Sequence, residues 1–385
     1  MTASGGFTAN GVACGIKPAG RPDLALVAAA GGRAVSAAGV FTSNLAAAAP
    51  VQVSRRHLAA TGGRAAAVIL NSGNANAATG AAGVEVAERA CALVAAGIGC
   101  RPEEVLVCST GLIGIPLPAA PFEGGVPALV AGLSGDGGGR AAEAILTTDT
   151  RRKEVLVTGD GWVVGGMAKG AAMLAPNMAT MLAVLTTDAA VEPVALHEAL
   201  AAAVAATFNR LSVDGATSTN DTVLVLASGA AGAPDPDDFA GALEEACAGL
   251  ALQMAADAEG ATKLARVRVT GARSDAEALA AARKVAESQL VKCSLYGADP
   301  YWGRIVSELG SAGVGFDLGA VSVAYGGVTV CRDGEACEHD AGALAAHMAG
   351  RDLLITAHLA LGEGSAEIVT ADLTHGYVDE NMTTS

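Results

Sequence analysis

The chain has 385 residues, more than one ordinary hydrophobic core accommodates, so two lobes or two domains are expected. Hydrophobic residues make up 51% and aromatic residues 3%, which predicts a compact globular protein packed through small aliphatic side chains. The net charge of −15 argues against a nucleic-acid partner, and the interruption of every apolar run by Gly, Pro or polar residues argues against a membrane span.

The pattern of apolar residues predicts a mixed α/β protein. Short β-branched runs bounded by Gly or polar residues predict strands at 65–70, 104–108, 153–158, 181–187, 222–228, 265–270, 320–331 and 366–374. Helical spacing predicts helices at 193–209, 238–256 and from Ser274 onward, where Ser274 and Glu277 form a capping-box pattern. Strands interspersed with helices favour a layered α/β sandwich whose sheets are covered by helices.

The cysteines and the start of the chain bear on location. Eight scattered cysteines form no CxxC pair, and the first twenty residues lack a basic segment followed by an apolar core. We therefore expect no signal peptide and a reducing cytoplasmic compartment. The grouping of Cys331, Cys337 and His339 is more typical of ordinary thiols than of a zinc site, so no metal is expected.

Charge is distributed unevenly along the chain. Residues 1–179 carry 13 basic and 11 acidic side chains, a net of +2, whereas residues 180–385 carry 11 and 28, a net of −17. The two halves differ in electrostatic character, and opposite fields help hold two pieces together, although an acidic solvated surface accounts for the same numbers.

Four polar loops lie at predicted strand ends or between elements. They are NSGNANAATG (71–80), CSTGLIGIPLP (108–118), SVDGATSTNDT (212–222) and GADPYWGR (297–304). Any one of them is explained by turn chemistry, because Asn, Gly, Asp and Ser are the usual turn formers. Four such loops with side chains able to bind polar groups favour a functional site built on a rigid scaffold.

Few nucleophile patterns fit the sequence. The chain has no GxSxG elbow and no Walker A motif, and its six histidines have no patterned partner. A threonine acts as a nucleophile when a base lies beside it, and its own α-amine serves once the preceding peptide bond is cut. Thr180 in PNMATML suits this chemistry, since the preceding residue is the small Ala179. Strand propensity alone also explains a threonine at that position.

The segment around Thr180 has a distinctive signature, Lys169-Gly170, then APNMATML (175–182) and TTD (186–188). Further motifs occur in order at GVACGIK (11–17), NSGNANA (71–77), STGLIG (109–114), TTDT (147–150), VGGMAKG (164–170), SVDGATSTNDT (212–222), DAEGATK (257–263), LVK (290–292) and DPYWGRI (299–305). Together these segments resemble one family, the N-acetylglutamate–ornithine acetyltransferases of arginine biosynthesis. The resemblance covers nearly the whole chain.

The resemblance implies a precursor that cuts itself between Ala179 and Thr180. The products would be an α chain of residues 1–179 and a β chain of residues 180–385, whose first residue is the nucleophile. Thr180 would then carry an acetyl group from N2-acetylornithine to glutamate in a ping-pong reaction. Thr110 and Gly111 match the family's oxyanion hole, one through its hydroxyl and the other through its backbone N–H.

The resemblance also implies which residues contact the substrate. The matching positions are Thr147, Lys169, Thr180, Glu259, Asn381 and Ser385. An amino-acid substrate carries a carboxylate and an ammonium, for which Lys169 and Glu259 are suitable partners. The sequence departs from the family at Tyr301, where Asn is usual, and at Ala216, where Asp is common.

Assembly and cofactors follow from the same resemblance. It implies an α/β fold related in mechanism to N-terminal nucleophile enzymes, a heterotetramer of two α and two β chains, and small amino-acid substrates. It implies no cofactor, although a subset of the family uses acetyl-CoA as a second acetyl donor. Two alternatives stay open: a self-cleaving amidase or aminopeptidase of related fold, and a non-catalytic amino-acid-binding protein that remains uncut.

Overall fold

The structure, a computed structural model, describes residues 1–174 and 181–382. It consists of two compact units, the first formed by Met1–Asn209 and Ala216–Asp257 and the second by Arg210–Gly215 and residues 258–382. The expectation of two lobes is confirmed. The first unit contains residues from both sides of the predicted cleavage point, so the compact units are not the predicted α and β chains.

The first unit holds two mixed sheets. Its strands are β1 (Phe7–Val12), β2 (Leu24–Ala29), β3 (Val35–Phe41), β4 (Arg64–Ala65), β5 (Ala67–Asn74), β6 (Val105–Leu112), β7 (Lys153–Thr158), β8 (Val163–Lys169), β9 (Leu182–Ala189) and β10 (Thr222–Gly232). Its helices are α1 (Ala49–Ala60), α2 (Gly80–Ile98), α3 (Ala120–Ala131), α4 (Gly138–Ala144), α5 (Pro193–Ala206) and α6 (Pro236–Ala255). One sheet has the order β1-β2-β5-β6, and the other has the order β4-β3-β10-β9-β8-β7.

Side-chain alternation along the strands produces four layers. In β5, Val68 and Leu70 belong to the core between the two sheets, whereas Ala67 and Ile69 pack toward the helices on the outer face. Helices α1, α2 and α3 cover that outer face, while α5 packs on β3 and α6 on β7 and β8 of the other sheet. The first unit is therefore a helix–sheet–sheet–helix sandwich, as predicted.

The central strands of the six-stranded sheet of the first unit come from both sides of the predicted cleavage point in the sequence. Strand β8 pairs antiparallel with β9, with Lys169 opposite Leu182, and β9 pairs parallel with β10. Strands β8 and β3 precede residue 179, whereas β9 and β10 follow it, and the order places β9 and β10 between them. The segments on either side of the predicted cleavage point are thus interleaved in one sheet.

The second unit is a two-layer structure. Its strands are β11 (Leu264–Ala272), β12 (Ser322–Tyr325), β13 (Val328–Arg332), β14 (Glu335–Ala336), β15 (Asp352–His358) and β16 (Gly364–Ala371), in the order β14-β13-β12-β15-β11-β16. Its helices are α7 (Asp275–Glu287), α8 (Gln289–Tyr296), α9 (Trp302–Gly310), α10 (Ala341–Ala349) and α11 (His375–Asn381). Helices α7 to α10 bury one face, and the opposite face carries exposed Arg266 and Arg268.

Most predicted elements are present, with two corrections. The run 320–331 is a hairpin rather than one strand, because Gly326 and Gly327 adopt φ of 58° and 84° and turn the chain. The predicted loops at 71–80 and 108–118 both begin as strand, since β5 continues to Asn74 and β6 to Leu112. Half of the predicted capping box is present: Ser274 Oγ accepts the N–H of Glu277 at 3.3 Å, whereas the Glu277 carboxylate pairs with Arg273.

Candidate active site

Thr110 and Gly111 lie near the end of β6, where the strand runs beside β5. Thr110 is 2% exposed, and Gly111 is opposite Gly73 in the parallel pairing of the two strands. Gly111 has φ of 130°, and a Cβ there would lie 2.3 Å from the backbone carbon of Gly73. Only glycine fits this close approach, which fixes the backbone next to the Thr110 hydroxyl.

Lys169 ends the buried strand β8 and reaches Thr110. Its ammonium donates to Thr110 Oγ1 at 3.3 Å, and the residue is 3% exposed. Because the hydroxyl oxygen already accepts this bond, Thr110 keeps its own proton available for donation to another oxygen. A hydroxyl donor beside a buried ammonium is suited to stabilising negative charge on a bound acyl group.

Asp149 connects Lys169 to Thr147. Its carboxylate accepts the N–H of Gly170 at 2.7 Å and the N–H of Thr147 at 3.1 Å, and it lies 3.9 Å from Lys169 Nζ. The Thr147 hydroxyl is 3.5 Å from the same carboxylate. Two predicted substrate-contacting residues are therefore oriented by one buried carboxylate that sequence reasoning did not select, although it lies in the matched segment TTDT.

The charge of Asp149 is stabilised by buried lysines. Burial by itself raises the pKa of Asp149, but the ammonium groups of Lys169 and Lys153 and the Gly170 N–H outweigh burial and hold the pKa at about 2. Lys153 is fully buried and bridges Asp149 Oδ1 at 2.6 Å and Asp257 Oδ2 at 2.5 Å. Asp149 is therefore a carboxylate at neutral pH, within a network of paired buried charges.

Asp23 fixes the backbone of the segment GVACGIK (11–17). The buried carboxylate of Asp23 accepts the backbone N–H groups of four consecutive residues, 14 to 17, at 2.6 to 3.1 Å. Lys17 Nζ then donates to Pro22 O at 2.9 Å and to Leu146 O at 2.5 Å. Since Leu146 precedes Thr147, Lys17 anchors the loop that carries one predicted substrate contact. Burial lowers the pKa of Lys17 to about 8.

Two amide side chains, of Asn71 within β5 and of Asn220 just before β10, support the end of β6. Asn71 Oδ1 accepts from Ser109 Oγ at 2.6 Å, and Asn71 Nδ2 donates to Asn74 O at 2.9 Å. Asn220 Nδ2 donates to Ala75 O at 2.6 Å and to Ser109 O at 2.8 Å. These side chains satisfy buried backbone carbonyls, and so they fix the end of β6 where Thr110 lies.

The predicted nucleophile Thr180 and its neighbour Ala179 lie outside the described residues. Met181, which follows Thr180, is described and is 1% exposed. Its N–H donates to Asp221 Oδ1 at 3.0 Å, and its carbonyl accepts the N–H of Thr222 at 3.1 Å. Both backbone polar groups of Met181 are thus fixed by the start of β10. Asp221 also lies in a matched segment, SVDGATSTNDT, but was not selected from sequence.

In the second unit, the structure brings Glu259 and Asn381 together. Asn381 Nδ2 donates to Glu259 Oε2 at 2.8 Å and to Tyr377 O at 2.9 Å, and Glu259 is 9% exposed. Helix α11 approaches Gly260, where a Cβ would lie 2.2 Å from Tyr377 N. The direct contact supports a shared role for two residues 122 positions apart. Ser385, the remaining predicted contact, lies outside the described residues.

Lys292, in the matched segment LVK, has a structural role. Its buried ammonium donates to Val213 O at 2.7 Å, Thr370 Oγ1 at 2.5 Å and Ala371 O at 2.9 Å. Burial lowers its pKa to about 8. The three bonds use all three donors of the ammonium and attach the segment 210–215 to the end of β16.

The described residues offer no obvious metal centre. Within 1–174 and 181–382, no cluster of three or more His, Cys, Asp or Glu side chains has the arrangement needed to hold a metal ion. Cys337 Sγ instead approaches Thr329 O at 3.4 Å, and His339 Nδ1 approaches Cys337 O at 2.9 Å. In the same ranges, no helix is both long and apolar enough to cross a bilayer.

The sequence is similar to one family of known proteins along nearly its whole length. Residues 8–384 match the model of the ArgJ family. The arginine biosynthesis bifunctional protein ArgJ of Mycolicibacterium paratuberculosis is 50% identical over 99% of this chain and 95% of its own length. The protein of the same name from Streptomyces coelicolor is 48% identical over 99% of this chain and 98% of its own.

Two solved structures are also similar. The argJ protein of Bacillus halodurans is 39% identical, covers 51% of this chain and 96% of its own, and superposes with a TM-score of 0.49. The ornithine acetyltransferase of Mycobacterium tuberculosis, solved in complex with ornithine, is 48% identical over 46% of this chain and 93% of its own, with a TM-score of 0.43.

The sequence matches define the class of protein first: an acyltransferase of arginine biosynthesis that acts on small amino-acid substrates. The chain belongs to the ArgJ family, because the family model and the full-length relatives both span nearly all of it.

Proposed function

We propose that the enzyme transfers the acetyl group of N2-acetyl-L-ornithine to L-glutamate, through an acetyl ester on Thr180, and releases L-ornithine and N-acetyl-L-glutamate. The observation that carries this proposal is the contact of buried Lys169 with Thr110. Both residues lie in the first unit, which also contains Met181, the residue that follows the predicted nucleophile. It supports an oxyanion site near the predicted nucleophile. Membership of a family of arginine biosynthesis proteins supports the choice of substrates.

The proposed acyl steps use groups of this chain alone. Thr180 Oγ1 attacks the acetyl carbonyl while its proton moves to the α-amine of the same residue, and the departing ornithine nitrogen takes that proton. The carbonyl oxygen becomes an oxyanion that accepts from the Thr110 hydroxyl and the Gly111 N–H. Glutamate then attacks the ester by the reverse sequence. No cofactor is required, and acetyl-CoA is the candidate second donor.

The proposed enzyme first cuts its own chain between Ala179 and Thr180. Cleavage supplies the α-amine, and the sheet explains why the products stay together. Strands β3 and β8 would belong to the chain 1–179, and β9 and β10, which lie between them, would belong to the chain 180–385. The interleaved strands and their shared core hold the two chains without the peptide bond.

Substrate recognition is proposed for two groups of residues. Lys169, oriented by Asp149 together with Thr147, pairs with a substrate carboxylate. Glu259, with Asn381 as its neighbour and Ser385 as the C-terminal contact, pairs with a substrate ammonium. Lys169 and Glu259 are both buried. Each would therefore give up an interaction with a neighbouring side chain or with water when it binds the substrate.

The cut enzyme is proposed to assemble in the cytoplasm as a heterotetramer of two α and two β chains. Light scattering coupled to gel filtration tests this directly, because the expected mass is twice the 37.6 kDa of one precursor. A particle with the mass of one cut precursor would contradict the tetramer.

One set of measurements tests the reaction. Purified wild type should give two bands on a denaturing gel and should form N-acetylglutamate from acetylornithine and glutamate. Thr180→Ala should remain a single band and lose transfer, whereas Thr158→Ala, an exposed threonine at the end of β7, should behave as wild type. Replacing acetylornithine by acetyl-CoA measures the second activity, which the name of the bifunctional relatives favours.

The alternatives predict different results. An amidase or aminopeptidase would be cut but would release free acetate or an amino acid whether or not glutamate is present. An amino-acid-binding protein would stay in one piece. Either result would overturn the proposed transfer reaction.

A further inference from the structure

Lys17 is a buried ammonium group that the proposed mechanism does not use. The residue is 9% exposed, and its Nζ donates to Pro22 O at 2.9 Å and to Leu146 O at 2.5 Å. An ammonium has three N–H donors, so one of them has no acceptor among the described residues. Burying a charge without an opposite charge beside it is costly, which indicates that Lys17 has a further partner in the working enzyme.

The other buried lysines of the described chain are engaged more completely. Lys153 and Lys169 lie 2.6 Å and 3.9 Å from a carboxylate oxygen, and Lys292 donates three hydrogen bonds. Within residues 1–174 and 181–382, Lys17 has neither an ion pair nor a third hydrogen bond. Its charge is therefore the one best placed to bind an anion from outside the chain.

The charged groups around Lys17 leave an excess of positive charge. Arg21 and Lys169 repel the Lys17 ammonium, whereas the carboxylates of Asp23 and Asp149 attract it. Together with Lys17, these groups amount to three cations and two anions. Both carboxylates are already engaged by backbone N–H groups, four at Asp23 and two at Asp149. One more negative charge, brought by a ligand, would neutralise this cluster.

Lys17 lies along the predicted oxyanion site. A Cβ on Gly73 would lie 2.9 Å from Lys17 Cγ, and Gly73 is opposite Gly111 in the pairing of β5 and β6. The ammonium end reaches Leu146, which immediately precedes the predicted substrate contact Thr147. The side chain therefore extends from the glycine that faces the predicted oxyanion hole to the loop that is expected to contact the substrate.

The chemistry of the substrates selects the α-carboxylate as the anion. In N2-acetylornithine, the acetyl carbonyl carbon is bonded to the nitrogen and the carboxylate carbon to Cα. The two carbons are therefore no more than about 4 Å apart, like successive carbonyl carbons of a peptide. Glutamate carries the same carboxylate next to its attacking nitrogen. A cation beside the oxyanion site can reach this group in either substrate.

We propose that Lys17 is a substrate-binding residue, and that its third N–H binds the α-carboxylate of the amino-acid substrate. This inference rests on the proposed function and extends its assignment of Lys169. A carboxylate has two oxygens and about four acceptor positions, so it accepts from Lys17 and Lys169 together. Two ammonium groups on one carboxylate fix the direction in which the substrate nitrogen faces the oxyanion site.

The binding of two ligands to the purified enzyme tests the contact. L-Ornithine carries the α-carboxylate, and L-ornithinamide replaces it by a neutral amide. Lys17→Met should weaken the binding of L-ornithine at pH 7, measured by isothermal titration calorimetry, by about 10- to 100-fold, as for loss of a hydrogen bond to a charged group. It should change the binding of L-ornithinamide by no more than about twofold. The matched control Lys284→Met, at an exposed lysine of α7, should bind both ligands as wild type does.

The pH dependence of binding provides a second measurement. Burial, reinforced by the charge of Arg21, lowers the pKa of Lys17 to about 8, so most of the ammonium is lost by pH 9. Because only the ammonium binds the carboxylate, the advantage of wild type over Lys17→Met for L-ornithine should shrink by up to about tenfold between pH 7 and pH 9. The amines of the ligand titrate equally in both experiments and cancel from this ratio.

Each outcome decides the inference. Equal losses of affinity for the two ligands in Lys17→Met overturn it, because a purely structural role of Lys17 in holding Leu146 weakens both. Unchanged binding of L-ornithine overturns it as well. If Lys17→Met does not fold, Lys17→Arg replaces it. Arginine stays charged at pH 9, so a fall in L-ornithine affinity between pH 7 and pH 9 that is the same in this variant as in wild type overturns the role.

Failure of the inference is distinguishable from failure of the proposed function. If wild type forms no N-acetylglutamate from acetylornithine and glutamate, the proposed function fails and this inference fails with it. If wild type is active, only Lys17 is in question.

Discussion

Asp149 should make a pH-dependent contribution to stability. Its pKa is lowered from 3.8 to about 2 in the folded chain, and each unit corresponds to 1.36 kcal/mol, so the carboxylate stabilises the folded state by about 2 kcal/mol. Because the pKa is lowered on folding, this contribution is fully present above about pH 4 and disappears as the pH falls toward 2.

Asp149→Asn should therefore lose about 2 kcal/mol at pH 7, and up to about 4 kcal/mol if the buried Lys153 and Lys169 ammonium groups are left poorly compensated. Urea unfolding at pH 7, 5, 4 and 3 measures the difference. It should be done in a Thr180→Ala background, which is expected to keep the chain in one piece, so that unfolding is a unimolecular process.

The difference in unfolding free energy between the chains with and without the Asp149→Asn substitution should shrink as the pH falls from 5 to 3. The matched control Asp160→Asn, at an exposed turn between β7 and β8, should stay within about 0.5 kcal/mol at every pH. A difference at Asp149 that is below about 0.5 kcal/mol at pH 7, or that does not change with pH, would refute the charge network as described.

Two further predictions concern the oxyanion site. Lys169→Met keeps most of the side-chain length but removes the charge that contacts Thr110 and is proposed to pair with the substrate carboxylate, so kcat/KM for acetyl transfer should fall by about 10²-fold; unchanged steady-state kinetics would remove Lys169 from the site. Gly111→Ala should destabilise the chain by about 3 kcal/mol, because its Cβ meets the backbone of Gly73. Gly114 also has a positive φ but has open space around it, so Gly114→Ala measures the loss of stability caused by the backbone conformation alone. Equal losses of thermal stability in both variants would contradict the clash at Gly111.

The sequence predicted several strands rich in β-branched residues and missed others, among them β8 and β15. Strands β7, β9 and β11 follow runs rich in Val, Leu or Thr, and they were found. Strand β8 has Gly165 and Gly166 at its centre, which sequence rules associate with loops. Here the missing Cβ of Gly166 leaves room for Val155 and Leu250, so tertiary packing decides the conformation.

Resemblance named residues of the candidate site, whereas the residues that support them were not predicted. Thr110, Gly111 and Lys169 were chosen from a family signature, and Lys169 contacts Thr110 in the structure. Asp149 and Asp221 were passed over because a carboxylate in a polar segment looks the same whether it is exposed or buried. Its role depends on which groups surround it in the fold, here Lys153 and Lys169 for Asp149 and the Met181 N–H for Asp221.

The interleaving of β9 and β10 between β3 and β8 sets the order of events in the life of the protein. The larger sheet can form as a unimolecular reaction only while the chain is continuous, so folding has to come before cutting. After cleavage, the reverse route from separated chains is bimolecular and depends on their concentration. A mature enzyme that is denatured and diluted should recover poorly, whereas an uncut Thr180→Ala chain should refold at a rate independent of dilution. The proposed cut would therefore make the finished enzyme a kinetically trapped product of its precursor.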